Sequence, residues 1–142
     1  MEPAIAKTAR NYEAWKINPA DSNRLALIFD PDADGASFIA CVEIFDVGGK
    51  TPPNMHPVGQ EFFFILKGEG LATCAGKTVP VASGDALLLK PGAEHALENT
   101  GPGRLYCLTM MVPDDGFTAL IRSGVRSALD DEDLAVLGRV HG

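Results

Sequence analysis

The stretch NMHPVGQEFFFILKG, residues 54–68, joins a turn to an apolar strand and carries two side chains that can bind metals. His56 and Glu61 lie on either side of a Pro-Val-Gly turn, and the apolar run FFFIL follows. Imidazole nitrogens and carboxylate oxygens both bind divalent first-row metals. Because side chains alternate along a strand, an inward-pointing Glu61 implies that Phe63 and Ile65 also point inward. The stretch therefore predicts a strand that begins at a metal-binding carboxylate.

Outward from this stretch, short apolar runs separated by turn residues continue over most of the chain. None has a sustained helical period, so the pattern predicts an all-β sandwich or barrel. We expect three zones: an N-terminal segment packing on the barrel (1–23), the barrel itself (24–112) and a C-terminal helical tail (113–142). The predicted strands lie at 24–29, 37–47, 61–66, 71–74, 78–81, 85–89 and 104–112, with a further strand near 95–99.

The C-terminal zone contains the capping residues of two short helices. Aspartates before position 116 predict a helix over 116–122, and Asp130 with Asp133 predicts a second helix over 131–137. Glycines follow both segments, as is common after a helix end. We interpret this tail as a packing element and not as part of a site.

The composition is that of an ordinary globular domain with an acidic balance. The 142 residues are 46% hydrophobic and 22% charged, with a formal net charge of -7. Nucleic-acid binding requires clustered Lys and Arg, so we expect no nucleic-acid partner. No apolar run approaches the roughly 20 residues of a spanning helix and no signal peptide is evident, so we expect no membrane partner and a cytoplasmic location. Three cysteines without metal-binding spacing predict reduced core thiols.

Residues 30–35, DPDADG, match the beginning of an EF-hand calcium loop. The twelfth position of that loop, which requires a bidentate glutamate, is Cys41 here. The flanking residues are typical of strands rather than helices, and Pro31 and Gly35 suit a turn. We therefore interpret the segment as a hairpin turn with solvated acidic side chains.

Three residues remain as candidate metal ligands: His56, Glu61 and His95. His95 lies far along the chain, and the walls of a barrel would bring it to the other two. Asn54 shares a strand face with His56 and is the candidate for a fourth position. Histidines are also common as hydrogen-bonded core residues. The residue types alone are therefore also compatible with a site that binds no metal. Apolar residues are expected to line the pocket: Phe63, Ile65, Leu97 and one of the two faces of 104–112.

Two patterns in the sequence resemble the motifs of the cupin family. The first family motif, G-x5-H-x-H-x3,4-E-x6-G, matches from Gly48 to Gly68, with Asn54 in place of the first histidine. The second, G-x5-P-x-G-x2-H-x3-N, matches from Gly84 to Asn99, with the proline one place late. The chain is therefore similar to small, single-domain, RmlC-like cupins.

The resemblance implies a double-stranded β-helix, that is, a jelly-roll barrel. Cupins typically bind one Fe, Mn, Ni, Zn or Cu ion through three histidines and one glutamate. By position, His56, Glu61 and His95 match three ligands, and the fourth place holds Asn54. The implied cofactor is one divalent metal ion (Fe, Mn, Ni or Zn), with Asn54 or water completing the set. An amide oxygen is a weaker ligand than imidazole for such metals, and the motif glycines are expected to serve turns.

The sequence leaves three functions open. The first is a metal-dependent enzyme, such as an oxygenase or an isomerase, acting on a small and partly apolar molecule. The second is a metal-free binding or sensor module, which Asn54 suggests. The third is a mainly structural homodimer that pairs through the apolar strand 37–47 and the tail helices. A cupin fold alone does not decide among them.

Overall fold

The computed structural model describes residues 3–138, which form two antiparallel sheets packed face to face in an all-β jelly roll. The larger sheet has seven strands and the smaller has three. The predicted zones include residues 1–2 and 139–142, which lie outside the described residues. The strands are β1 (Glu13–Lys16), β2 (Arg24–Phe29), β3 (Ile39–Phe45), β4 (Gln60–Lys67), β5 (Glu69–Cys74), β6 (Lys77–Ala82), β7 (Ala86–Leu89), β8 (His95–Asn99), β9 (Leu105–Val112) and β10 (Val125–Ser127).

The strand orders are β10-β1-β2-β3-β9-β4-β7 in the larger sheet and β6-β5-β8 in the smaller one. Consecutive neighbours pair antiparallel throughout. The predicted strands from 24 to 112 are all present, most of them within two residues of their expected bounds. The β1 and β10 strands come from the segments that we expected to lie outside the barrel, and they extend the larger sheet at one side.

Three short helices and one 3₁₀ turn complete the described chain. The two predicted tail helices are present, and the side chains and backbone N–H groups of Asp130 and Asp133 hydrogen-bond each other reciprocally in a capping box. None of the helices within residues 3–138 is long and apolar enough to cross a membrane. The elements are the 3₁₀ turn Ala9–Asn11, α1 (Pro31–Asp34), α2 (Phe117–Arg122) and α3 (Asp131–Leu137).

The pairing register decides which side chains face the space between the sheets. Glu61 lies opposite Met111, and Phe63 lies opposite Thr109. Residues directly opposite each other share a face, and the exposed fractions of Glu61 and Phe63 are only 3% and 6%. The predicted alternation of β4 is therefore confirmed. On β9 the buried, inward set is Leu105, Cys107, Thr109 and Met111.

Both sheets contribute to the main hydrophobic core. Burying each large aliphatic or aromatic side chain there stabilises the fold by about 1.5–3 kcal/mol. Within the described residues the three cysteines are free thiols, and Cys41 and Cys107 are buried, as the sequence predicts. The core residues are Phe45, Phe63, Ile65, Ala72, Val81, Leu89, Leu97, Leu105 and Cys107.

The tail packs on the outer face of the larger sheet. Val136 and Leu137 contact a buried cluster that includes Ile44 and Tyr106. The fully buried carboxylate of Asp133 accepts hydrogen bonds from neighbouring strands, namely from the Arg24 guanidinium and, at 2.8 Å, from the Tyr106 hydroxyl. This helix is thus held by both apolar contact and a buried ion pair.

One interpretation is confirmed only in part, and another is wrong. The segment after β2 is the predicted hairpin connection, since β2 and β3 pair antiparallel, but its first carboxylate is not solvated. Asp30 is 1% exposed, accepts from the N–H groups of Asp32 and Ala33 at the start of α1, and pairs with Arg122. Its carboxylate is thus already neutralised and hydrogen-bonded. The apolar strand β3 is not available for pairing with a second copy, because β2 and β9 pair with it on either side.

The motif glycines serve turns, as predicted. Gly48, Gly68, Gly84 and Gly92 have φ values of 78°, 98°, 92° and 83°, a region that residues with a Cβ rarely adopt. At Gly68 an added Cβ would also come within 2.7 Å of the Arg104 carbonyl oxygen. This glycine therefore allows β4 to turn closely past the start of β9.

Candidate metal centre

The two sheets bring His56, Glu61 and His95 to one end of the interior. Glu61 is the second residue of β4 in the larger sheet, and His95 is the first residue of β8 in the smaller one. His56 lies in the segment that leads into β4. Glu61 and His95 are 3% and 6% exposed, and the His56 side chain is 17% exposed.

The ligand atoms of these residues converge. Glu61 Oε1 lies 2.9 Å from His95 Nε2 and 3.4 Å from His56 Nε2. One ligand atom from each residue can be chosen so that all three lie within 4.8 Å of one another. Two ligand atoms that are each about 2.1 Å from a metal are about 3.0 Å apart at a right angle and about 3.4 Å apart at the tetrahedral angle. The spacings therefore suit a shared metal ion.

The hydrogen bonding of the cluster also suits a cation. His95 Nδ1 lies 3.0 Å from the carbonyl oxygen of Ala93, which can only accept, so Nδ1 carries a hydrogen. A neutral His95 then turns the lone pair of Nε2 towards Glu61 Oε1, which is itself buried and without a hydrogen-bond partner among the described residues. Two acceptors so close together repel each other unless a proton or a metal ion lies between them.

The electrostatics agree with this arrangement. Burial by itself would raise the pKa of the Glu61 carboxyl, but the imidazoles of His56 and His95 more than offset burial and lower this pKa. Burial would likewise lower the pKa of His95, but Glu61 raises it above its ordinary value. The site therefore favours an ionised carboxylate beside positive charge, whether the charge is a proton or a metal ion.

Two neighbouring parts of the chain, the turn before β8 and the loop before α2, hold the segment that carries His56. The Gly92 N–H donates to the His56 carbonyl oxygen at 2.9 Å. Asp115 Oδ2 accepts from the N–H groups of Val58 and Gly59, each at 3.0 Å. The Phe117 ring, at the start of α2, lies 5.9 Å from the His56 ring. The loop before α2 therefore positions the ligand segment, so the interpretation of the whole tail as a packing element outside any site is wrong.

Asn54 lies beside the cluster and on the same face as His95. The two residues exchange both backbone hydrogen bonds, from Asn54 N–H at 2.9 Å and from His95 N–H at 2.8 Å. The side chain of Asn54 is exposed, and its Nδ2 donates to the Pro52 carbonyl oxygen at 3.4 Å. Gln60 is exposed, as expected for the neighbour of an inward Glu61.

A cavity of about 220 Å³ opens next to the cluster. Of the predicted lining residues, Phe63 lines it, Ile65 and Leu97 pack in the core, and neither face of 104–112 contributes to the lining. The difference arises because the two sheets close on each other away from the mouth. Further apolar lining comes from Ile17, Leu25, Phe117 and Leu120, and polar lining from Asn18, Asp21, Asn23, Glu43, Lys50, Thr51 and Asn54.

Glu43 is a cavity residue that sequence reasoning missed. It lies on β3 between Leu25 and Cys107 in the register, hence on the inner face. Burial, together with the negative charge of Glu61, raises its pKa to about 8. The sequence contains a signal that could have identified it: Glu43 is the one charged residue of the strand IACVEIF. Carboxylates are seldom buried unless they are paired.

Comparison with known proteins places the chain in a family. The cupin domain family matches residues 41–111. An uncharacterised protein of Methanocaldococcus jannaschii is 35% identical over 66 residues, which are 45% of this chain and 53% of that protein. An oxalate-binding protein of Thermotoga maritima is 38% identical over 69 residues, which are 44% of this chain and 57% of that protein. The match spans about half the length of these curated relatives.

Solved structures agree on the fold. A protein named as a predicted oxalate decarboxylase of T. maritima has a TM-score of 0.67 at 22% identity, covering 78% of this chain and 99% of that one. An RmlC-like cupin of Shewanella frigidimarina has a TM-score of 0.64 at 14% identity, covering 75% and 88%. The β-sandwich, the motif positions and these comparisons agree, and the chain belongs to the cupin domain family with an RmlC-like jelly-roll fold.

Proposed function

We propose that this cupin binds one divalent first-row metal ion through His56, Glu61 and His95, and a small carboxylate-bearing molecule on the cavity side of that ion. The observation that carries the proposal is Glu61 Oε1, which is buried, lacks a hydrogen-bond partner among the described residues, and lies close to two imidazole Nε2 atoms. A buried, unpaired carboxylate oxygen is costly unless a cation compensates it.

The donor set defines the class of metal. Two imidazoles and one carboxylate suit Fe, Mn, Ni or Zn, and three protein ligands leave positions open for water, for Asn54 or for a ligand. A metal ion bound there would supply a Lewis acid. The hydrogen bond from His95 Nδ1 to Ala93 fixes the ring so that Nε2 faces the site.

The cavity limits the size of the ligand. Its volume of about 220 Å³ is below the roughly 300–1,000 Å³ of pockets for drug-sized molecules. A relative named for binding oxalate, from T. maritima, supports a small carboxylate as the ligand. Oxygenase or isomerase activity at the same open positions remains a hypothesis from the sequence.

Metal content tests the first half of the proposal. Protein purified without a metal-affinity tag and then loaded with Mn, Fe, Ni or Zn is expected to hold about one ion per chain. The variants His56→Ala and Glu61→Gln should lose most of it, while Glu98→Gln, an exposed carboxylate on the same strand as His95, should retain it. Wild-type protein that takes up none of the four metals would refute the proposal.

Oxalate binding tests the second half. Titration calorimetry of the metal-loaded protein should show oxalate binding that disappears when a chelator removes the metal. If the metal is held but oxalate does not bind, the ligand class is wrong while the metal centre stands.

A second candidate is favoured by the raised pKa of His95. A protonated His95 and an ionised Glu61 form an ion pair without metal, and a metal-free binding module would use the same cavity. In that case the chelator-treated protein would bind the small molecule as well as the untreated protein does.

The proposed assembly is a homodimer. The outer face of β4 and β7 carries Phe62, Phe64 and Leu88, with the two phenyl rings stacked 6.5 Å apart and Leu88 56% exposed. Exposed apolar residues that lie together are typical of association surfaces, and this face is a better candidate than the internal strand β3.

A further inference from the structure

Three apolar side chains line the cavity beside the metal cluster, and the cluster does not use them. They are Ile17, which follows β1, and Phe117 and Leu120, which lie on α2. Each keeps surface that solvent can reach: Ile17 and Phe117 are partly exposed, and Leu120 is 49% exposed. A ligand in the cavity can therefore contact all three, and we call them the apolar wall.

The apolar wall begins beside the metal cluster and continues along α2. The Phe117 ring lies 5.9 Å from the His56 ring, so the start of the helix is next to a proposed metal ligand. Beyond the other end of the helix, an added Cβ at Gly124 would come within 2.7 Å of the Ile17 carbonyl oxygen. Ile17 and Phe117 also pack against the same buried cluster. The three side chains therefore form one surface that leads away from the metal.

The charges around the cavity leave no positive charge for a second anionic group. One divalent ion would be balanced by Glu61 together with the carboxylate of the ligand. Among the described residues, Lys50 is the one amine of the lining, and the carboxyl group of Asp21 lines the same cavity. Lys50 also lies opposite Glu98 in the pairing of neighbouring segments, which places a further carboxylate on its face.

We propose that the apolar wall binds the hydrocarbon tail of the ligand whose carboxylate binds at the metal. This inference rests on the proposed function and names its substrate class: monocarboxylates with a short, uncharged hydrocarbon tail. The cavity volume of about 220 Å³ equals the share of about seven water molecules at about 30 Å³ each, so the tail has only a few carbons.

The hydrophobic effect favours such a tail over a bare carboxylate. Without a ligand, the reachable surfaces of Ile17, Phe117 and Leu120 are in contact with water. A hydrocarbon tail removes this apolar surface and its own surface from water, and a fully buried methylene is worth about fourfold in affinity. A charged tail would gain nothing from the wall and would lose its hydration.

The test uses the Mn-loaded full chain and three 2-oxo acids that share one metal-binding end. The probes are pyruvate, 2-oxovalerate, which has two more methylenes, and 2-oxoglutarate, which has a carboxylate in place of the terminal methyl group. Binding is measured by calorimetry and by the water-proton relaxation of bound Mn, which falls when a ligand displaces metal-bound water.

We expect 2-oxovalerate to bind at least about fivefold more tightly than pyruvate, since the wall is open to solvent at Leu120 and buries the two methylenes incompletely. We expect 2-oxoglutarate to bind at least about tenfold more weakly than 2-oxovalerate. The heat-capacity change of binding should be more negative for 2-oxovalerate than for pyruvate, which is the signature of buried apolar surface.

The variants identify the wall. Leu120→Ala and Ile17→Ala should each lower the preference for 2-oxovalerate over pyruvate at least about twofold. The double variant should bring the two affinities within about twofold of each other, with Mn content unchanged. The control Leu71→Ala removes a leucine that is 36% exposed on β5 and does not line the cavity, and it should behave as wild type. Melting temperatures identify any variant that fails to fold, and Leu120→Ala, at a half-exposed position, then serves alone.

The outcomes separate the two proposals. Wild-type protein that binds no metal would overturn the proposed function, and this inference with it. Protein that binds Mn but binds pyruvate and 2-oxovalerate equally, prefers 2-oxoglutarate, or binds none of the three would overturn the apolar wall while the metal centre stands. A preference for the longer tail that survives in Leu120→Ala and in the double variant would also overturn it.

Discussion

Asn54 and His95 face each other across two antiparallel segments and exchange both of their backbone hydrogen bonds. Residues paired in this way have Cα atoms about 5.5 Å apart and side chains on the same face. An imidazole at position 54 would therefore reach the cluster. We expect Asn54→His to raise metal affinity at least about tenfold, or about 1.4 kcal/mol, because imidazole is the stronger ligand. Competition against a chelator of known affinity measures this.

The matched control for that variant is Asn54→Ala. Since the amide of Asn54 is exposed and hydrogen-bonds Pro52, its loss should change metal affinity by less than about threefold. Unchanged affinity in Asn54→His would mean that position 54 does not face the metal.

Asp115 is expected to support metal binding without contacting the metal. Its carboxylate accepts hydrogen bonds from the N–H groups of Val58 and Gly59. These two residues lie between His56 and Glu61 in the sequence. We expect Asp115→Gly to lower metal affinity about 10- to 100-fold, the usual effect of losing a group that orients ligands. Glycine tolerates the positive φ of 51° at this position, so the variant tests the carboxylate and not the backbone.

The conservative change Asp115→Asn keeps an accepting oxygen and also tolerates positive φ, so it should retain most of the affinity. If Asp115→Gly binds metal as wild type does, the loop before α2 does not position the site.

The buried carboxylate of Asp133 is expected to dominate the attachment of α3. It is fully buried and paired with Arg24, so Asp133→Asn leaves a buried guanidinium without its counter-charge. We expect a loss of about 3–5 kcal/mol in the free energy of unfolding, measured by urea denaturation. The neighbouring Glu132→Gln, whose side chain is 58% exposed, should change it by less than about 0.5 kcal/mol. Similar losses for both would show that burial is not the cause.

The same carboxylate predicts the behaviour of the fold in acid. Burial would raise the pKa of Asp133, but the Arg24 guanidinium and the Asp130 N–H more than offset burial and lower it from 3.8 to about 2. A carboxyl whose pKa is lowered by folding stabilises the folded state at pH values above its pKa in the unfolded chain. That stabilisation is lost as the pH falls towards the folded-state pKa of about 2. Wild-type stability should therefore fall between pH 4 and 2 by up to about 1.4 kcal/mol per pH unit from this group. Asp133→Asn should lack that part of the slope, and parallel slopes would contradict the assignment.

The proposed homodimer is tested on the outer face of β4 and β7. We expect Leu88→Lys to convert a dimer into a monomer in sedimentation velocity, because it places a charge among the apolar residues Phe62 and Phe64. The control Val47→Lys changes a residue that is 62% exposed in a loop and should leave the dimer intact. A wild-type monomer would refute the assembly itself.

The sequence predicted the strands that carry their own hydrophobic pattern. Arg24–Phe29 was located to the residue because turn residues bound its apolar run on both sides, and the strand expected near 95–99 is His95–Asn99. β1 (EAWK) and β10 (VRS) have no such pattern; they are extended because a neighbouring strand offers backbone partners, and tertiary pairing of this kind is not written in local sequence. The division into three zones and the cytoplasmic location stay predictions.

For the site, motif spacing brought out His56, Glu61 and His95, and the structure brings the three together. Glu43 and Asn23 were missed for different reasons. Glu43 sits within an apolar strand where one charge looks like an exception, and Asn23 sits in a turn-rich segment where asparagine is common. The pairing of β2 with β3 brings the two residues next to each other, and both line the same cavity.

The origin of the ligands in two different sheets has a mechanical consequence. A metal ion shared by His56 and His95 would act as a cross-link that closes a loop of about 40 residues, comparable in chain entropy to a disulfide worth about 4 kcal/mol. Removing the ion should then loosen the contact between the sheets at the cavity mouth before the rest of the fold. Amide hydrogen exchange in the segment around Asn54 would then speed up before exchange elsewhere. A bound metal would in this way stabilise the closed barrel in addition to its role in the site.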